Sequence, residues 1–109
     1  MIEINDLDEL KKIIENSQNN TILIFKHSTR CPVSSHAKKE LEKFLEKYPQ
    51  FSSKAYLIKV IECRQLSNYI SEITNVEHQS PQILILKDGK VTSHLSHFKI
   101  TAKSIEASI

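Results

Sequence analysis

Only two cysteines, at 31 and 63, occur in these 109 residues. They stand 32 positions apart, which excludes the dense disulfide framework of a small secreted domain and predicts a reducing, cytoplasmic setting. Aromatic residues are also scarce, at three tyrosines and four phenylalanines, and the net charge is +2 with no block of lysine and arginine. Nucleic-acid binding therefore has little support. No apolar stretch approaches the roughly 20 residues of a membrane span, and the start, MIEINDLDELKK, is acidic and amphipathic where a signal peptide would be basic and then apolar. The five histidines, 27, 36, 78, 94 and 97, show no spacing that would pair them with cysteines around a metal, so no metal site is expected. Repeats, linkers and low-complexity segments are absent. The chain reads as a single domain over residues 1–109.

Acidic residues are missing from one window as well. Between Glu15 and Glu40 there is none, while Lys26, Arg30, Lys38, Lys39, His27 and His36 all fall there. The same window holds an apolar run, Ile22 to Phe25, that reads as a strand covered on both faces. After His27-Ser28-Thr29-Arg30 comes Cys31-Pro32-Val33-Ser34, and then Ala37, Leu41, Phe44, Leu45 and Tyr48 recur at helical steps. Pro32 suits the first position of that helix, which puts Cys31 at or beside its N-cap. There the sulfur meets open backbone N–H groups and the positive end of the helix dipole, an environment that favours thiolate and attracts an anionic thiol partner.

The remaining elements follow in order. Ile2 to Asn5 reads as a short edge strand. Asp6, with Glu9 three residues on, opens a helix whose stripe is Leu7, Leu10, Ile13 and Ile14. Ala55 to Ile61 supplies a second strand ending at Glu62-Cys63, and Leu66, Tyr69, Ile70 and Ile73 mark a helix ending near Asn75. Ile83 to Leu86 and Val91 to Leu95 flank Asp88-Gly89, a strong hairpin signal, and Thr101 caps a closing helix. The fold class is α/β: a mixed central sheet flanked by helices, with a C-terminal β-hairpin and a final helix.

This order resembles the thioredoxin-like fold from end to end. Cys31 to Ser34 falls at the active-site position, and Ser80-Pro81 at that of the family's cis-proline. In finer detail FKHSTRCPVS, HQSPQ and SHFKIT resemble the corresponding segments of the YtxJ-type bacilliredoxins, monothiol proteins of the bacillithiol system. The resemblance implies a thiol-disulfide oxidoreductase that takes bacillithiol off S-bacillithiolated proteins, with Cys31 catalytic, no tightly bound cofactor and bacillithiol as co-substrate. It implies a cis Ser80–Pro81 bond, and places Ser80 and Pro81 in contact with the substrate.

The supporting residues keep two readings each. Ser34 replaces the second cysteine of a dithiol motif, so a mixed disulfide on Cys31 must wait for bacillithiol or another external thiol. Its hydroxyl either bonds the sulfur or belongs to an ordinary first-turn serine. His27 either supports the thiolate or is a structural histidine, and Arg30 is exposed with or without a role in binding a carboxylate-bearing thiol. Cys63 is either an incidental residue or a resolving thiol, and the geometry of disulfides weighs against the second. Two functions remain from different classes: the monothiol oxidoreductase, and a non-enzymatic redox sensor or adaptor whose Cys31 is capped by a low-molecular-weight thiol.

Overall fold

In the computed structural model, which describes residues 1–109, the strands are Ile2–Glu3 (β1), Thr21–His27 (β2), Ala55–Lys59 (β3), Gln82–Lys87 (β4) and Lys90–Ser96 (β5). The helices are Leu7–Glu15 (α1), Pro32–Lys47 (α2), Arg64–Thr74 (α3) and Ala102–Ser108 (α4). All five strands join one sheet in the order β1-β3-β2-β4-β5. The first three lie parallel, and β4 runs antiparallel to both β2 and β5. This is the mixed sheet with a closing hairpin and helix that the sequence predicts.

Alternation along β2 assigns the two faces. Leu23 and Phe25 pack with Ala37, Leu41 and Phe44 of α2, with Ile83 and Ile85 of β4, and with Ile105 of α4. Ile22 and Ile24 pack on the other face with Leu10 and Ile14 of α1, Leu66 and Ile70 of α3, and Leu84 and Leu86 of β4. Burying each such side chain contributes roughly 1.5–3 kcal/mol. Leu41, fully buried one turn beyond Ala37, therefore fixes the start of α2 against the sheet. That start carries Cys31.

Local chemistry sets the element ends. The Glu9 N–H donates to the Asp6 carboxylate at 3.0 Å and begins α1, so β1 stops at Glu3 and not at the expected Asn5. Asn75 ends α3 in the left-handed conformation at φ 55°. The hairpin turn has positive φ at both Asp88 (54°) and Gly89 (75°), the geometry that an Asp-Gly pair favours between right-twisted strands. The second parallel strand ends at Lys59, two residues before the expected Ile61. The Val60 N–H still donates to the His27 carbonyl at 3.0 Å, but the Cys63 N–H then turns back to the Lys59 carbonyl at 2.8 Å. Cys63 is accordingly the N-cap of α3 and lies beyond the strand end. Residues 49–54 and 97–99 add two 3-10 turns that the periodicity does not signal. No helix is long and apolar enough to cross a membrane.

Candidate active site

Cys31 is the N-cap of α2, with extended backbone (φ −112°, ψ 120°) and Pro32 at the first helical position. Its own carbonyl accepts the Ser35 N–H at 3.1 Å, and its N–H donates to the Ser28 carbonyl at 3.3 Å, which closes the tight turn from β2 into the helix. No acidic side chain occupies the first helical turn, and the Cys31 side chain makes no capping bond. Since Pro32 has no N–H, the open backbone donors of this turn belong to Val33 and Ser34. Both cysteines are free and half-buried.

An open hollow of about 430 Å³ surrounds Cys31, lined by Thr29, Arg30, Pro32, Ser35, His36 and Lys39. Three of these are basic types and none is acidic. The exposed Arg30, His36 and Lys39 thus carry out part of the cationic window that the sequence outlines. At one rim Phe98, 71% exposed, stands with its ring centre 6.4 Å from that of His36.

Three residues of the window lie elsewhere. His27 is buried beneath the turn, 5.3 Å from Phe25 between ring centres. Lys26 is fully buried on the opposite face of the sheet, because it shares the face of Ile24, two residues before it, and alternates with His27. It therefore does not join the hollow around Cys31. Lys38, half-buried, lines a different groove beside Met1 and Glu3.

Ser34 is fully buried and its Oγ makes two bonds. It accepts the Ser28 N–H at 3.0 Å and pairs with His27 Nδ1 at 2.7 Å. In either ring tautomer the Ser34 hydroxyl ties the end of β2 to the first turn of α2, a structural clasp whose partners are His27 and Ser28. Burial holds the His27 pKa below its ordinary value, assisted by the charges of Lys38 and Lys59 and opposed by Glu62. The shift favours the neutral imidazole in the folded protein.

Ser80 and Pro81 join the same edge through the sheet register. Lys26 pairs with Gln82 across β2 and β4, which sets Pro81 beside His27 at the point where the cysteine turn departs. The Ser80–Pro81 peptide bond is cis. Ser80 Oγ is shut from solvent with no hydrogen-bond partner, and the Pro81 carbonyl accepts the His97 N–H at 3.0 Å. Cys63 donates weakly to Asn5 Oδ1 at 3.8 Å, a contact with the loop before α1.

One polar cluster is not legible in the sequence. Lys26 Nζ donates to Ser71 Oγ at 3.1 Å and meets His78 Nδ1 at 3.3 Å, while Ser67 Oγ lies 3.0 Å from the same nitrogen. The signal available was a lysine directly after a strand's apolar run. Alternation would have put it on the α3 face.

Comparison with known proteins agrees with this geometry. The family model described as "Monothiol bacilliredoxin BrxC" matches residues 2–105. A solved thioredoxin-fold structure, described provisionally as an oxidoreductase, is 31% identical, with a TM-score of 0.89 over 98% of this chain and 91% of that one. Mitochondrial thioredoxin 3 from Saccharomyces cerevisiae, in its oxidised form, superposes with a TM-score of 0.76 at 19% identity, covering 100% and 92% of the two chains. The thioredoxin NaTrxh from Nicotiana alata gives 0.79 at 18% identity, covering 99% and 88%. The fold is the thioredoxin fold, and the function is thiol redox chemistry.

Proposed function

Because the chain belongs to the monothiol bacilliredoxin family, we propose that it removes bacillithiol from protein mixed disulfides through Cys31. The observation that carries this reading is a lone thiol at the mouth of α2, in an acid-free basic hollow, with Ser34 and not a second cysteine one turn on.

The Cys31 thiolate attacks the bacillithiol sulfur of the mixed disulfide. A new sulfur–sulfur bond forms, the old one breaks, and the protein sulfur leaves as a thiolate that takes a proton from solvent. The open N–H groups of Val33 and Ser34 stabilise the attacking sulfur, and Arg30, His36 and Lys39 draw in anionic partners. Pro32 presets the backbone angle of the first helical position, and the Ser34–His27 clasp holds the turn. Ser80 and Pro81 offer the backbone edge on which the substrate chain lies. A second thiol, bacillithiol or another, then attacks the mixed disulfide on Cys31. It restores the Cys31 thiol and is itself oxidised into a new disulfide with bacillithiol. A reducing cytoplasm is the compartment that supplies it.

Turnover is the test. Substoichiometric protein is mixed with an S-bacillithiolated protein and free bacillithiol, and released protein thiol is counted by mass spectrometry. Many equivalents released by wild type and by Cys63→Ser, with none by Cys31→Ser, support the enzyme. A single equivalent transferred to Cys31 and then no more replaces it with the sensor, and a spontaneous Cys31–Cys63 bridge makes Cys63 a resolving thiol.

A further inference from the structure

Lys26 is a charge that the exchange reaction leaves unused. Its ammonium is fully shut from solvent and meets only the Ser71 hydroxyl and the His78 ring. A buried cation is ordinarily paired with an anion, since desolvation disfavours the charged form. Here no carboxylate answers it. The ion pairs of the protein join Lys43 to Glu40, Lys47 to Glu106 and Lys59 to Glu3, and Lys26 and Arg64 take no part. An ammonium has three donors, and two are used.

Beside this group lies a hollow of about 340 Å³ lined by Val60, Ile61, Arg64, Ser67, Asn68 and His78. No acidic residue is among them. His78 joins the hollow to the buried amine, because its Nδ1 meets both Lys26 Nζ and Ser67 Oγ. Desolvation, then the nearby charges of Lys26 and Arg64, hold the His78 pKa below its ordinary value, as expected where cations gather without a counter-charge. The first turn of α3 adds its positive end, with no acidic residue and no side-chain cap from Cys63. The hollow also borders the thiol edge. Val60 hydrogen-bonds the His27 carbonyl, and His78 lies two residues before Ser80.

We propose that this hollow is an anion pocket that receives a carboxylate of the low-molecular-weight thiol while its sulfur is exchanged at Cys31. Arg64, His78 and Asn68 contact the carboxylate, and Lys26 supplies the buried charge behind them. The proposal rests on the bacillithiol reading above. Arg64, Asn68 and His78 are exposed, as are Arg30, His36 and Lys39, and what sets this hollow apart is the fully buried Lys26 behind it, whose charge salt screens far less than an exposed one.

The test uses full-length Cys31→Ser protein, in which no exchange occurs at that position, titrated with malate as a small dicarboxylate at constant ionic strength and followed by NMR. The expected result is a saturable shift at His78, Ser67 and Asn68, about tenfold weaker binding in Arg64→Gln, and loss in Lys26→Met. Shifts centred on His36 and Lys39, equal binding in both variants, or saturation by inorganic phosphate but not malate would overturn the proposal. In the cysteine-intact protein, Arg64→Gln should raise KM for the bacillithiolated substrate and leave kcat and alkylation of Cys31 by neutral iodoacetamide unchanged. An unchanged KM in an active enzyme rejects the pocket alone. A wild type that never turns over rejects the enzyme reading, while malate binding is still read separately.

Discussion

Ser34 Oγ and His27 Nδ1 lie 2.7 Å apart, both buried, and that bond ties the first turn of α2 to the end of β2 beneath the cysteine. Where a dithiol protein would place a second sulfur, this chain places a clasp.

Breaking the clasp should cost stability before it costs chemistry. Ser34→Ala leaves His27 Nδ1 and the Ser28 N–H without their partner, which is expected to destabilise the fold by about 1–3 kcal/mol in urea titration. Ser34→Cys should lose part of that stability and gain a new product. Positions 31 and 34 are one helical turn apart, within reach of a disulfide, so mass spectrometry should find an internal bond where wild type retains bacillithiol on Cys31. A stable Ser34→Ala protein would show that the clasp carries little.

Acid should weaken the fold through two histidines. Burial depresses the folded pKa of His27 and of His78 below 6.5, so the unfolded chain binds more protons as pH falls through 6.5 toward the depressed values. Their contribution is complete above pH 6.5 and is lost across that window, at no more than about 1.4 kcal/mol per pH unit for each group. Urea midpoints at pH 7.5, 6.5 and 5.5 measure the slope. The double variant His27→Asn, His78→Gln should flatten it, and an unaltered slope would assign the acid sensitivity elsewhere.

Lys26 predicts the opposite kind of variant, one that gains stability. Burial lowers its pKa from 10.5 to about 8, so at neutral pH the amine is charged in both states and the fold bears the desolvation. Lys26→Met should be more stable than wild type at pH 7 by about 2 kcal/mol, less than the full linkage because the hydrogen bonds to Ser71 and His78 are lost. As pH rises from 8 to 10.5 the folded lysine sheds its proton ahead of the unfolded one, and the gap should close. A gap independent of pH would trace the gain to packing.

The exposed basic residues around Cys31 should act on rates and not on stability. Arg30→Glu is expected to slow alkylation of Cys31 by iodoacetate roughly threefold at low salt, with a much smaller effect on neutral iodoacetamide and little difference in 1 M salt. Peptide mapping reports Cys63 in the same digest. Equal slowing by both reagents would remove Arg30 from anion steering.

The sequence made the scaffold legible because its signals are local. Alternation, helical spacing, Pro32 after Cys31 and Asp88-Gly89 each act within a few residues, and each lies in its expected element. What escaped depends on partners far along the chain. Lys26 counts as one more basic residue near Cys31 until the sheet turns it to the α3 face, where Ser71 and His78, 45 and 52 residues away, receive it. Ser34 stands out in the sequence as the residue in place of a second cysteine, but its pairing with His27 and Ser28 depends on a burial that spacing does not report. Cys63 left the strand for a helix cap because the turn after Lys59 closes through one backbone bond, which composition does not report.

Gly89 is the only glycine in the chain, and it does not hang free at the hairpin tip. Its N–H donates to Ser17 Oγ at 2.8 Å, and the Asp88 N–H donates to the Ser17 carbonyl at 3.1 Å. A hairpin tip is where an engineer would ordinarily splice in a tag or divide a protein into complementing halves. In this chain such an insertion would pull the tip from the end of α1 and loosen the first and last thirds of the sequence together. The 97–99 turn is no safer, since it borders the thiol edge. The 3-10 turn at 49–54, held to the body by fewer distant backbone bonds, is the better seam for labels, linkers and split reporters.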